Sequence, residues 1–115
     1  MTRLSILGYG NVGKHLAKAF YDQTTVELIQ IYNRSEIDNN KLPEGIPTTN
    51  RIANLFPADI FLLCLKDDVI EDIALKIPFQ DAIIAHTSGS LGLLSNVKRS
   101  AVFYPLQTFN AYIDL

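Results

Sequence analysis

The sequence predicts an α/β chain: a doubly wound parallel sheet with helices on both faces, three layers deep (α/β/α). Three observations predict it. Short apolar runs alternate along the chain with stretches whose apolar residues recur at three-and-four spacing, which is how strands alternating with amphipathic helices read. The apolar runs are nearly continuous instead of alternating with polar residues, as expected of strands covered on both faces. The first run opens into Gly8-Tyr9-Gly10-Asn11-Val12-Gly13, a glycine spacing suited to the junction between a strand and a helix.

Taken in order, the first strand spans about Arg3 to Leu7, and the helix after the glycine turn runs from Val12 to about Tyr21 on the apolar positions Val12, Leu16, Ala17 and Phe20. Asp22, Gln23, Thr24 and Thr25 break that pattern. The second strand, Val26 to Tyr32, should neighbour the first. Residues 33–45 are polar and contain Pro43 and Gly45, so they read as a loop. A short strand is expected near Ile46 to Thr48. Asn50 can cap a short helix carrying Ile52, Ala53 and Leu55, which Pro57 stops. The strongest apolar run, Ile60 to Leu65, is the fourth strand and ends in Lys66-Asp67-Asp68. Asp67 or Asp68 can cap a helix bearing Val69, Ile70, Ile73, Ala74 and Leu75, with Pro78 past its end. A fifth strand, Ala82 to Ala85, runs into His86-Thr87-Ser88-Gly89-Ser90, followed by a leucine-bearing helical turn at Leu91, Leu93 and Leu94. A sixth strand, Ala101 to Tyr104, stops at Pro105. Right-handed crossovers make 3-2-1-4-5-6 the economical strand order.

The glycine turn implies a Rossmann-type dinucleotide-binding unit. Gly8 lets the chain turn sharply off the strand, Gly10 removes a side chain where a pyrophosphate would meet backbone, and Gly13 lets helix and strand pack closely. The first N–H groups of the helix would face the anion, and Asn11 or a neighbouring backbone amide, that of Tyr9 or Val12, can complete the cradle. A bare glycine spacing is a weak signal. Its context strengthens it: a strand before, a helix after, and a second strand ending about twenty residues further on.

With 115 residues, 48% hydrophobic and 19% charged, the chain suffices for one core and one domain. A net charge of −2 with no basic run argues against a nucleic-acid surface. The single cysteine, Cys64, allows no disulfide framework and sits in an apolar run, where its thiol is expected to be inert. No apolar stretch reaches the ~18 residues of a membrane span, and no signal segment is visible. A soluble cytoplasmic protein is the expectation. Two histidines and one cysteine show no ligand spacing for a metal.

In such a sheet the carboxyl ends of the strands line one crevice. After the second strand stand Asn33-Arg34-Ser35, where an acidic residue would favour NAD. A carboxylate would repel a 2'-phosphate, whereas Arg34 can pair with one and Ser35 can add a hydroxyl, so NADP is expected, with NAD possible. Lys66, Asp67 and Asp68 serve equally as a helix start or as crevice lining. His86 could move a proton near neutral pH, yet such a histidine is as readily a structural hydrogen-bonding group. Thr87 and Ser88 fit helix caps or substrate contacts. His86, Ser88 and Lys66 are the catalytic candidates. His15 falls away from the turn and is expected at the surface.

Taken together, G-Y-G-N-V-G, Y-N-R-S, L-C-L-K-D-D-V-I, H-T-S-G-S and F-Y-P-L-Q-T-F resemble the N-terminal Rossmann-like domain of oxidoreductases related to pyrroline-5-carboxylate reductase and the deazaflavin-dependent NADP reductases, in the subgroup whose second domain has no assigned function. The resemblance covers essentially the whole chain. It implies that Gly8, Gly10, Asn11, Val12 and Gly13 hold the pyrophosphate, that Asn33, Arg34 and Ser35 hold the 2'-phosphate end, and that Leu65, Lys66 and residues 86–88, Thr87 among them, line the nicotinamide end. It further implies an all-helical second domain, paired with another subunit, that completes a substrate pocket. The chain ends at Leu115 without that domain, so residues 1–115 are expected to be the cofactor-binding part of a longer protein or a binding unit without its own catalysis. The apolar tail, Leu106, Phe109, Tyr112, Ile113 and Leu115, is expected to pack on a second copy of the chain. Two functions follow: an NADP-dependent oxidoreductase acting on a small carbonyl or imine, or an NAD(P)-sensing module signalling through a partner. A methyltransferase fits less well, because it too would want an acidic residue after the second strand.

Overall fold

The structure is a computed structural model that describes residues 1–103. Six strands form one parallel sheet: β1 (Thr2–Leu7), β2 (Val26–Tyr32), β3 (Thr48–Thr49), β4 (Ile60–Leu63), β5 (Ile83–His86) and β6 (Ser100–Val102). Their spatial order is β3-β2-β1-β4-β5-β6, the expected 3-2-1-4-5-6. Helix α1 (Asn11–Tyr21) joins β1 to β2, and α2 (Asp67–Lys76) joins β4 to β5. Short 3-10 turns stand at Asn39–Lys41 and Ile52–Asn54.

Side chains alternate across each strand, so the sheet builds two cores. On one face Leu4, Ile6, Leu28, Ile31 and Leu62 pack against Leu16 and Ala17 of α1. On the other, Leu7, Phe61, Leu63 and Ile84 meet Ile70 and Ala74 of α2, with Leu94 and Val97 closing the far side. This is the three-layer arrangement expected. Between Leu4 and Ser5 the pairing with β2 slips by one residue, from Leu4 opposite Leu28 to Ser5 opposite Gln30, leaving Ile29 as the extra residue of a bulge. The slip sets two buried polar side chains side by side, and Gln30 Nε2 donates to Ser5 Oγ at 2.6 Å. Gln30 also accepts from the Phe56 N–H at 2.8 Å and donates to the Phe56 carbonyl at 2.9 Å, so the crossover from β3 to β4 is sewn to the sheet.

Several local expectations are corrected. The third strand lies at Thr48–Thr49, not from Ile46, because Ile46 packs into the α1-side core. Arg51, not Asn50, precedes the turn at Ile52–Asn54, with no side-chain cap. β4 ends at Leu63, two residues early, because Cys64 and Leu65 bend under the glycine turn. Lys66 is the capping residue of α2, while Asp67 and Asp68 lie inside its first turn, where negative charge suits the helix dipole. β5 extends through His86. No helix forms at Leu91, Leu93 and Leu94: Gly92 sits at φ 65°, and only Leu94 of the three is buried. Tyr104 and the apolar tail lie outside the described residues. No helix among the described residues is long and apolar enough to cross a membrane.

Candidate functional site

Register fixes where the site forms. Thr49, Tyr32, Leu7, Leu63, His86 and Val102 stand in one row across β3, β2, β1, β4, β5 and β6. The residues that follow this row form the carboxyl rim of the sheet. The order in which strands are added reverses at β1, whose neighbours β2 and β4 lead to opposite edges of the sheet, and ligands of such sheets bind in the crevice at that reversal.

The glycine turn sits at that reversal, and each of its glycines meets a different environment. Gly8 has φ 103°, and a Cβ there would lie 2.3 Å from the Cys64 carbonyl oxygen. At Gly13 a Cβ would lie 2.0 Å from the Gly8 carbonyl oxygen, so α1 rests backbone to backbone on the turn. At Gly10 a Cβ would meet nothing within 4 Å among the described residues. Two glycines are thus required by packing, and the third faces open space. Gly10 is also the capping residue of α1; no side chain caps that helix and no acidic residue stands in its first turn. An N-terminus left this way presents N–H donors and partial positive charge to whatever occupies the space before it.

Tyr9 contributes backbone alone. Its ring is buried, its hydroxyl donates to the Lys41 carbonyl, and burial raises its pKa. The Tyr9 N–H donates to Asn33 Oδ1 at 3.0 Å, and Asn33 Nδ2 donates to the Ser35 carbonyl at 2.9 Å. Asn33 therefore braces the glycine turn against the end of β2, a role invisible in sequence because its partner is a backbone group distant along the chain. Arg34 and Ser35 are exposed beside it, and Arg34 has no hydrogen bond or ion pair among the described residues. Asn33 and Ser35 share a hollow of about 260 Å³ with Glu36, Thr48, Thr49 and Asn50. Glu36 was not anticipated, although its place right after Asn-Arg-Ser was a readable signal. A larger hollow of about 600 Å³ lies beside α1, where Lys14, Lys18 and Lys41 outnumber Asp22. These lysines make the approach to the turn more positive than the chain's net charge suggests.

On the other side of the reversal, Leu65 lies against Gly8, and Lys66 is exposed. His86 is fully buried: Nδ1 accepts from the Ser88 N–H at 3.1 Å, leaving Nε2 to carry the proton toward the Gly92 carbonyl at 2.5 Å. Both ring nitrogens are engaged by backbone, which is a structural use of the imidazole. Thr87 Oγ1 reaches the Leu63 carbonyl only at 3.5 Å. Neither Thr87 nor Ser88 caps a helix. Instead, Ser90 Oγ donates to Asp67 Oδ2 at 2.8 Å and stands 3.1 Å from Ser88 Oγ. This clasp joins the start of α2 to the turn after β5, and the hydroxyl of Ser90, with that of Ser88 behind it, holds the Asp67 carboxyl below its ordinary range. Burial pushes the Cys64 thiol up to about 12, an inert state. No group of metal-binding side chains forms among the described residues.

No family model and no curated protein matches the chain. Solved structures do. Biliverdin reductase from Synechocystis, in complex with biliverdin and NADP+, superposes with TM-score 0.70 at 14% identity over 98% of this chain and 43% of that one. RSP, a Rex-family repressor, in complex with β-NADH gives 0.69 at 14% identity over 96% and 57%. DAP dehydrogenase from C. glutamicum, in complex with DAP, gives 0.57 at 22% identity over 77% and 28%. The likeness establishes a Rossmann-like α/β fold, and this chain spans roughly a quarter to just over half of the lengths of those proteins.

Proposed function

We propose that this chain is the NADP-binding domain of an oxidoreductase that moves hydride between a nicotinamide and a small carbonyl or imine. The observation that carries the proposal is the pairing at Gly10 of open space with an uncapped helix N-terminus, set at the point where the sheet reverses. A Cβ there would fill the cradle, so the residues present fit a pyrophosphate. In this reading the N–H groups at the start of α1 bind the diphosphate, and Asn33 keeps the turn in place. Arg34 and Ser35 receive the 2'-phosphate, with NAD accepted more weakly. Leu65, Lys66 and Thr87 line the nicotinamide end. The bound nucleotide supplies the hydride; the chain supplies binding, orientation and electrostatics. His86 acts by shaping the 87–92 turn. A helical second domain, as the sequence resemblance implies, would complete the substrate pocket.

A second reading, an NAD(P)-sensing module acting through a protein partner, is supported by the likeness to a repressor solved with NADH. Fluorescence titration with NADPH and NADH tests the cofactor, and turnover with carbonyl and imine substrates by the protein with its second domain separates the two readings. Tight NADPH binding with hydride transfer supports the first, and binding without turnover supports the second. Absence of binding to either nucleotide refutes both.

A further inference from the structure

One tyrosine of the glycine turn holds both ends of the loop that follows β2. The Tyr9 N–H donates to Asn33 Oδ1 at 3.0 Å, and the Tyr9 hydroxyl donates to the Lys41 carbonyl. The nine residues from Asn33 to Lys41 can span up to ~30 Å when extended, yet the two ends meet on a single residue. The stretch between them is a closed arc, of the kind whose ends lie close together. Its far end is firm by itself: Asp38 Oδ1 accepts from the Asn40 N–H at 3.0 Å, the Lys41 N–H donates to the Asp38 carbonyl at 2.9 Å, and the 3-10 turn at Asn39–Lys41 is wound on those bonds. Ile37 and Leu42, on either side of that turn, pack against the core cluster that contains the buried Tyr9 ring. Arg34, Ser35 and Glu36 form the exposed crest of the arc.

Building on the NADP-binding reading above, we propose that Tyr9 is a positioning residue for nucleotide choice: its hydroxyl closes the 33–41 arc and so holds Arg34 and Ser35 where the 2'-phosphate stands. The bond to Asn33 uses backbone, which every residue but proline would offer at position 9. The bond to Lys41 needs a hydroxyl at the reach of a tyrosine. Burial raises the pKa of that hydroxyl, so it stays protonated and donates throughout the neutral range. A crest ordered in advance spares the 2'-phosphate the cost of ordering it, which otherwise subtracts from affinity. NADH has no 2'-phosphate, makes no call on Arg34 or Ser35, and is indifferent to the shape of the arc. Tyr21 supplies an internal comparison, because its hydroxyl donates to the Glu44 carbonyl at 3.0 Å, just beyond the arc.

The test compares Tyr9→Phe with Tyr21→Phe in the full chain, each losing one hydroxyl and keeping its ring. Titration of the parent with NADPH and NADH reads the proposed function. Tyr9→Phe should bind NADPH roughly 3- to 10-fold more weakly, the worth of one hydrogen bond, while NADH stays within about twofold; Tyr21→Phe should leave the ratio of the two affinities unchanged. The phosphorus NMR signal of the bound 2'-phosphate should titrate at lower pH than in free NADPH, because the Arg34 charge favours the dianion. In Tyr9→Phe that titration should move back toward the free nucleotide, a change that loss of stability alone does not produce. A parent that binds neither nucleotide, or both equally, refutes the NADP reading and the role of Tyr9 with it. A parent that prefers NADPH, together with a Tyr9→Phe protein that keeps the preference, refutes the role of Tyr9 alone, as would equal weakening toward both nucleotides or an equal effect of Tyr21→Phe.

Discussion

Substituting Gly10 and Gly13 separately by alanine should pull binding and stability apart, because the two positions differ in what an added methyl meets. At Gly13 the new Cβ would lie 2.0 Å from the Gly8 carbonyl oxygen, inside the 3.0 Å that real contacts respect. Helix and turn would have to part by about 1 Å, a close-packed overlap that costs at least about 2 kcal/mol. At Gly10 nothing among the described residues lies within 4 Å of an added Cβ, and the backbone, at φ −78°, is open to any residue. There the loss of unfolded-state freedom stabilises by roughly 0.4–1 kcal/mol, while alanine is a poorer helix-capping residue by a similar amount. The net change in stability should stay within about 1 kcal/mol. The methyl would nonetheless occupy the space proposed for a diphosphate and displace it from the N–H groups. Losing one charge-assisted hydrogen bond, about 1.5–3 kcal/mol, weakens binding by roughly 10- to 150-fold. Urea unfolding and NADPH titration on the same samples measure both quantities. A Gly10→Ala protein that binds NADPH as tightly as the parent would refute the assignment of the cradle, and a Gly13→Ala protein of parental stability would refute the packing account.

Arg34→Ala should weaken NADPH by roughly 1.5–3 kcal/mol, the value of a charged hydrogen bond, and leave NADH within about a factor of two; equal losses for both nucleotides would remove Arg34 from the 2'-phosphate. Gln30→Leu should cost about 2–4 kcal/mol in urea unfolding, since it strands the Ser5 hydroxyl beside backbone groups of Phe56, and adding Ser5→Ala should recover part of that loss. The Asp67 clasp has a signed pH dependence. A carboxylate held below its ordinary value of 3.8 adds stability above that pH and loses it as the pH falls through the lower folded value. Ser90→Ala should therefore be less stable than the parent at pH 6, with the gap narrowing as the pH falls below 3.8; a gap that stays constant as the carboxyl is titrated would show that Ser90 acts without Asp67.

The sheet was legible because its information is local. Each apolar run between polar breaks marks a strand, and chirality then leaves few orders to choose from. β2 was read to the residue since both its faces are covered and both its ends are polar. The region around Leu91 was misread because leucines at helical spacing resemble a helix until Gly92, at φ 65°, diverts the chain. The helix starts failed on finer physics: Asp67 turned from a cap into a partner for Ser90, which lies 23 residues away in sequence. Gln30 was readable in principle, as the one amide inside an apolar strand. Asn33 was singled out for its place after the second strand, but its bond to the Tyr9 N–H depends on how two strand ends align, which composition cannot encode.

The extra residue at Ile29 works as a ruler for the end of β2. Because β2 carries one more residue than the strand beside it, Asn33 arrives level with the Tyr9 amide. In a homologue lacking that insertion, the downstream segment would retreat by about 3.3 Å, and an arginine would be drawn into the slot that an asparagine now fills. A length change far beneath the surface thus decides which side chain braces the glycine turn.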